Sequence, residues 1–255
     1  MIALIGNLSR DLLPGRPPRT GGGSFHGARA LHRVRVPARV VARCAVEDRA
    51  ELLPPLVRLG TPVRYVPGTS TATFAMSYDG DVRTMRVDAV GDTWLPRDLP
   101  ELPSAVRWVH VAPLFRSDFP PETLAALGRR RRLSFDGQGL VRVPAVGPLQ
   151  LDADFDPELL RHVWVLKLSD DEAEVVGDVG ALPVREVVVT HGSRGATVYA
   201  GGRREEISAR PIDADPTGSG DMFTTVYVIA RNGGFGPSGA ARRATAVVAS
   251  LLAGR

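Results

Sequence analysis

The stretch "DADPTGSGDMF", residues 213–223, decides how the rest of this 255-residue chain is read. It packs Asp215, Pro216, Thr217, Gly218, Ser219, Gly220 and Asp221 into seven consecutive positions, whereas a plain surface turn needs one glycine or one Asn-Gly pair. A ribbon strand, "EEISAR", precedes it, and an apolar run beginning at Met222 follows, so the glycines lie in the turn that enters a helix. In that setting the N–H groups of Gly218, Ser219 and Gly220 point outward, unpaired, at the positive end of the helix dipole, and form an anion hole from backbone alone. Glycine is needed because side chains would block the approach of a phosphate. Asp221 is a poor permanent neighbour for an anion, but a sensible one if it takes a proton from a group attacking that anion. A Gly-rich turn leading into an N-capped helix accounts for the same letters without any chemistry.

Working outward, "IALIGN" (2–7) reads as a buried strand reaching a turn, and "GGGSFHGARALHRV" (21–34) as a glycine-led helix. "ARVVARCAV" (38–46) and "PVRYV" (62–66) are strands. Between them "DRAELLPPLVRLG" (48–60) reads as a helix with Asp48 as N-cap, interrupted near Pro54 and Pro55. Residues 70–92 alternate, are rich in Thr, Val and aromatics, and carry Asp79-Gly80 at their centre, a hairpin signal. From about residue 93 strands and helices alternate: "RWVHVAP", "PPETLAALGRR", "RLSFDGQG", "HVWVLKLS", "DDEAEVVG" and "REVVVTHG". A second ribbon, "ATVYAGGRREEISAR", and two helices, "SGDMFTTVYVIARNGG" and "PSGAARRATAVVASLLAG", complete the chain. The pattern predicts an α/β fold, a doubly wound, mostly parallel sheet with helices on both faces, plus a small β-sheet lid. The Pro/Gly-rich segment 13–23 reads as a loop.

Composition narrows the function classes. Hydrophobic residues make up 44% and charged residues 24%, which suits a packed globular domain. The net charge is +4, and Lys167 is the only lysine, so the basic character is almost all arginine. Arginine for lysine follows from base composition of the coding sequence, and no nucleic-acid partner is expected. Cys44 is alone and lies in an apolar run, which leaves no disulfide framework or thiolate zinc site. The start carries no basic, apolar leader, and no stretch approaches eighteen apolar residues, so a cytoplasmic protein without a membrane partner is expected. His26, His32, His110, His162 and His191 show no metal-ligand spacing.

The full string D-P-T-G-S-G-D resembles the C-terminal signature of the ribokinase-like (PfkB) family of carbohydrate and nucleoside kinases, and the resemblance extends over nearly the whole chain. It implies one kinase domain over residues 1–255, with lid elements near 8–20 and 69–92 inserted in it. It implies ATP as phosphoryl donor and Mg²⁺ as its companion. Asp221 becomes the general base, and Gly218, Ser219 and Gly220 the anion hole. "GNLSRD" resembles the end of the family's first strand, where Asp11 would bind substrate hydroxyls, and Gly22 and Gly23 match the Gly-Gly hinge. "VLKLSDDEAEVV" is similar to the family's N-x-x-E segment. Glu172 matches the acid that organises the metal through water, and Ser169 stands where Asn is usual. "VVVTHGSRGATVY" is similar to V-T-x-G-x-x-G. The nucleotide side would then include Lys167, Ser169, Glu172, Thr190, Gly192, Gly195 and Thr217. No G-x-x-x-x-G-K-[ST] is present, so Walker-type phosphate binding is excluded.

"DGQGLVR" (136–142) points to the acceptor. It resembles a D-x-Q-G-x-x-R segment of the inositol and cyclitol kinase branch. Gln138 can both donate to and accept from a hydroxyl, and Arg142 presents a planar fork suited to vicinal oxygens. A cyclitol or sugar is the expected acceptor. Two other readings stay open: a nucleoside kinase using Phe25, Phe74, Tyr78 or Phe115 over a base, and a non-catalytic sugar- or nucleotide-binding relative. The lid's free β edge invites pairing with a second copy, hence a homodimer.

Overall fold

The computed structural model describes residues 1–79, 82–210 and 216–254. Gly80 of the Asp79-Gly80 turn, and Asp213 and Asp215 of the opening stretch, lie outside the described residues.

Apolar runs and glycine turns generate fourteen strands and seven α-helices among these residues. In chain order they are β1 (Ile2–Asn7), β2 (Ser9–Leu12), β3 (Arg19–Gly21), α1 (Gly23–Val34), β4 (Ala38–Ala45), α2 (Arg49–Val57), β5 (Val63–Gly68), β6 (Ala72–Asp79) and β7 (Val82–Ala89). There follow β8 (Trp108–Val111), α3 (Pro121–Gly128), β9 (Arg132–Asp136), α4 (Gln138–Val141), β10 (Gly147–Pro148), β11 (Val165–Ser169) and α5 (Asp170–Val176). The chain ends with β12 (Glu186–Thr190), β13 (Gly195–Ala200), β14 (Arg203–Ser208), α6 (Ser219–Asn232) and α7 (Pro237–Leu252).

Nine strands form one sheet in the order β14-β13-β12-β11-β9-β8-β1-β4-β5. All its pairs from β5 to β12 are parallel, and β13 and β14 join antiparallel at one edge. The parallel strands are buried on both faces, which explains why β1 is apolar or neutral throughout instead of alternating. One face is covered by α1, α2, α6 and α7 through Leu31, Leu52, Leu56, Met222, Val226 and Ala244. The other is covered by α3 and its neighbours through Leu124, Leu127, Leu140 and Leu160. This is the doubly wound arrangement expected from the sequence.

The chain leaves β1 toward β4 and β5, and later returns on β1's other side through β8, β9, β11 and β12. That reversal opens a crevice beyond the carboxyl ends of the strands. Five strands, β10-β7-β6-β2-β3, make a second, smaller sheet over it. Arg10 of β2 ties this sheet to the start of α2, donating to Asp48 at 2.6 Å and Glu51 at 2.8 Å.

Three local expectations are corrected. Residues 19–21, inside the expected loop, pair with β2 as β3, because the turn between them brings Ser9 opposite Gly21. Helix α2 runs through Pro54 and Pro55 without a break. The carbonyls that lose N–H partners there belong to Ala50 and Glu51, both exposed, where water can serve them. Asp48 makes no side-chain cap; its carboxylate serves Arg10 instead.

Candidate active site

Two adjoining clefts meet at the mouth of α6. The first, about 400 Å³, is lined by Ser169, Thr190, Gly192, Gly195, Arg210 and, along one wall, Phe223, Val248, Ala249 and Leu252. The second, about 220 Å³, is more polar and lies between the α6 mouth and the small sheet. Ser9, Asp11, Gly22, Gly23, Gln138, Arg142, Glu172, Thr217, Gly218 and Asp221 line it. Lys167, Ser169, Pro216, Ser219 and Gly220 border both. The sequence-predicted residues therefore gather at one place, contributed by the carboxyl ends of β1, β9, β11 and β12, by β2, and by α6.

The mouth itself differs from expectation in one respect. The N–H of Ser219 donates to the carbonyl of Pro216 at 2.9 Å, so it closes a turn and does not face an anion. The N–H groups of Gly220 and Asp221, in the first turn of α6, have no backbone partner among the described residues, and they make the opening. Gly218 is the N-cap, at φ 75°, a left-handed conformation that costs glycine nothing. A Cβ there would stand 2.3 Å from the His26 ring, so both backbone and space exclude another residue. Gly23 allows a different close approach, since its Cβ would lie 2.7 Å from Asp221 Oδ1.

Asp221 is buried, and its Oδ1 has no hydrogen-bond partner. Burial pushes its carboxyl up to about 7; the negative charge of Asp136 adds to this, and Lys167 and Arg142 oppose it. A carboxyl poised near neutrality beside an open helix mouth can accept a proton and later release it.

Below it sits a buried ion pair. Lys167 Nζ lies 3.2 Å from Asp136 Oδ2, and both side chains are almost wholly enclosed. Burial works to lower the lysine's pKa, yet Asp136, Glu172 and Asp221 outweigh it and hold the ammonium charged. A Cβ on Gly220 would lie 3.0 Å from Nζ, so this cation stands directly beside the mouth. Asp136 also faces burial, but Lys167 and His110 keep it ionised, below the usual carboxylate range. Gln138 Nε2 donates to Asp136 Oδ1 at 3.2 Å, which fixes the amide at the edge of the polar cleft.

The Ser169–Glu172 segment is a reciprocal capping box. Ser169 Oγ accepts the Glu172 N–H at 3.3 Å, and Glu172 Oε2 accepts the Ser169 N–H at 2.8 Å. Serine thus does structural duty where asparagine was expected. Glu172 is buried, which raises its pKa. The residue lines the polar cleft. No group of three or more His, Cys, Asp or Glu gathers as a metal-binding cluster among the described residues. Thr190 donates to the Leu168 carbonyl at 3.2 Å, and Gly192 and Gly195 turn with positive φ at the apolar cleft. On the acceptor side, Ser9 Oγ donates to Asp11 Oδ1 at 2.7 Å, which orients that carboxylate.

No family model matches the chain. Over 161 residues it is 32% identical to an inositol 3-kinase of Zea mays, a match covering 61% of this chain and 41% of that protein. The match thus spans about two-fifths of the curated relative's length. Among solved structures, a pyrophosphate-dependent kinase in the ribokinase family, complexed with a pyrophosphate analog and myo-inositol, superposes with a TM-score of 0.85. It is 26% identical, with 99% of this chain and 95% of that one covered. By fold this chain is similar to that ribokinase-family kinase. A further similar structure, 25% identical with a TM-score of 0.84 over 99% of this chain and 93% of that one, is a pyrophosphate-dependent myo-inositol-1 kinase converted into a myo-inositol-3 kinase. Its conversion replaces one asparagine and one serine by leucines.

Several residues of this site were missed in the sequence. Asp136 was passed over, although it opens the D-x-Q-G-x-x-R segment. His26, Met76 and Met85 also line the polar cleft, and nothing in their local spacing marks them. The S-x-x-E spacing of Ser169 and Glu172 is itself a capping-box signal that was available. His191, read as a bystander, bridges Asp170 at 2.5 Å and Thr197 at 2.8 Å, and steadies the loop beyond β12.

Proposed function

We propose that the chain is a cyclitol kinase, transferring the terminal phosphoryl group of ATP to a hydroxyl of an inositol-like polyol. The carrying observation is Asp221: buried, unpartnered at Oδ1, tuned to about 7 and placed in the polar cleft next to Gly220, which borders both clefts. In this reading the polyol lies in the polar cleft against Asp11, Gln138 and Arg142. Asp221 takes the hydroxyl proton as the oxygen bonds to the γ-phosphorus. The bond from that phosphorus to the β–γ bridging oxygen breaks, and ADP leaves. The N–H groups of Gly220 and Asp221, with the Lys167 ammonium, stabilise the charge on the moving phosphoryl group. Magnesium bound with the nucleotide would neutralise phosphate charge, and Glu172, which lines the polar cleft, would hold it through water.

The apolar wall of Phe223, Val248, Ala249 and Leu252 supports a nucleotide as donor, because a purine has a face to bury there and pyrophosphate has none. Of the aromatics considered for a nucleoside acceptor, Phe74 lines the polar cleft, but its ring is buried against Phe115. Phe74 and Phe115 stack on each other within a core cluster, with centroids 5.4 Å apart. Nothing of the Tyr78 side chain falls within the described residues.

The test is phosphoryl transfer measured for ATP and for pyrophosphate against a panel of inositols, simple sugars and nucleosides. The expected result is one strong inositol response with ATP and product formation at the 3-position, as in the name of the Zea mays relative. A response with pyrophosphate alone would overturn the donor assignment. A nucleoside or simple sugar as best acceptor would overturn the acceptor class.

A further inference from the structure

We infer that Met76 and Met85 form the regiochemical selector of the acceptor cleft, and that this thioether pair restricts an inositol to the orientation phosphorylated at position 3. The inference rests on the cyclitol reading above.

The register of the small sheet supplies the geometry. Met76 of β6 stands directly opposite Met85 of β7. One step along the same face, Phe74 of β6 is level with Asp11 of β2, and side chains two residues apart share a face. The sheet therefore presents a divided surface to the cleft: Ser9 and Asp11 on the β2 side, two thioethers on the β6–β7 side. All four line it. Phe74 and Leu114, its other apolar lining residues, belong to the cluster packed on Val87 and Phe115. Met85 packs against that cluster from a half-buried position.

The ligand's shape makes such a division consequential. Positions 1 and 3 of myo-inositol are mirror-related about the plane through C2 and C5, so a site can tell them apart only by fixing where the single axial hydroxyl, at C2, goes. One face of the ring carries that hydroxyl; the other carries axial hydrogens alone at C1, C3 and C5. A thioether offers a hydroxyl almost no hydrogen bond. An axial hydroxyl pressed on Met76 and Met85 would be desolvated without compensation. The ring accordingly keeps its axial hydroxyl on the Ser9 and Asp11 side of the divided surface and off the methionines. Turning the ring by 120° in its plane, which exchanges C1 and C3 at the reacting position, carries that hydroxyl to the other side and onto the thioethers, so one of the two poses survives. In the myo-inositol-1 kinase relative, replacing an asparagine and a serine by leucines produces a 3-kinase. That exchange of polar for apolar side chains runs in the direction this argument requires.

The experiment is product analysis by chiral separation of the 1- and 3-phosphates, which are enantiomers, after reaction with myo-inositol. Wild type is expected to give the 3-phosphate. The Met76→Asn, Met85→Ser double variant should shift the 3-to-1 ratio toward position 1 by at least about tenfold, the usual discrimination from a changed pocket wall. Met76→Leu, Met85→Leu should keep the wild-type product, because the wall stays apolar. Met85→Ser alone, at the half-buried position, supplies the same comparison should the double variant not fold. An unchanged ratio in a folded, active polar variant would overturn the selector and leave the kinase reading intact. A wild type that phosphorylates no cyclitol would overturn both.

Discussion

Asp221 and Lys167 show how two buried charges can carry opposite assignments. Asp221 lacks a partner at one oxygen and titrates near neutrality. Lys167 is paired with Asp136 and stays charged. Asp221→Asn should lower turnover by about 10²–10⁴ with little change in ligand affinity, the typical worth of a general base. In the wild type, kcat/KM should rise with pH through about 7, because the base works only when deprotonated and burial has raised its pKa to about 7. A flat profile from pH 6 to 8 would remove Asp221 from that role. Lys167→Met strands Asp136 in the interior without its cation, and should cost ~3–5 kcal/mol of folding stability, read by denaturant titration. The acid was legible in the sequence because D-P-T-G-S-G-D is contiguous. The pair was not, because Asp136 and Lys167 lie on different strands and meet only through sheet register.

At the scale of elements, most strands and helices were legible because their apolar periods are strong. The exceptions have physical causes. β3 is three residues long, too short to show a period, and exists only because β2 lies beside it. The prolines of α2 mark a break by local rules, yet tertiary packing of Leu52 and Leu56 holds the helix through them. The Ser219 N–H was assigned to an anion, but a turn at Pro216 claims it first, and a turn of that kind depends on backbone angles that the letters do not specify. At α5 the capping box gives a measurable handle. Ser169→Ala removes the acceptor for the Glu172 N–H and should destabilise by about 1 kcal/mol. The Glu172 carboxylate keeps its bond from the backbone N–H of residue 169, so the magnesium concentration for half-maximal activity should stay unchanged while the melting temperature falls.

For the whole molecule, buried titratable groups set how stability depends on pH. Asp118, held by Asn7 and the Leu114 N–H, is pushed up to about 7 by burial, as Asp221 is. Each binds a proton in the folded state that the unfolded chain has released above about pH 4, so stability falls as pH rises from about 4 to 7. His110, lowered to about 4 by burial, acts in the opposite sense up to about pH 6.5, where the unfolded imidazole loses its proton. Between about pH 6.5 and 7 the two carboxyls, joined by Glu172, which burial also raises, outweigh what remains of the imidazole's effect. Calorimetry should therefore show a falling melting temperature across that interval, with a slope of less than about 1.4 kcal/mol per pH unit for each group, because each is only partly protonated near its own pKa, and Asp118→Asn should make the slope shallower. A rising melting temperature there would contradict the assignment.

The fork by which Arg10 grips Asp48 and Glu51 has its own consequence. The roof above the acceptor is moored to the body by partly solvated ions, whose mutual attraction fades in brine. Sodium chloride should therefore loosen the grip on the polyol, lifting its KM between 50 mM and 500 mM while kcat holds steady, and Arg10→Gln should erase that sensitivity.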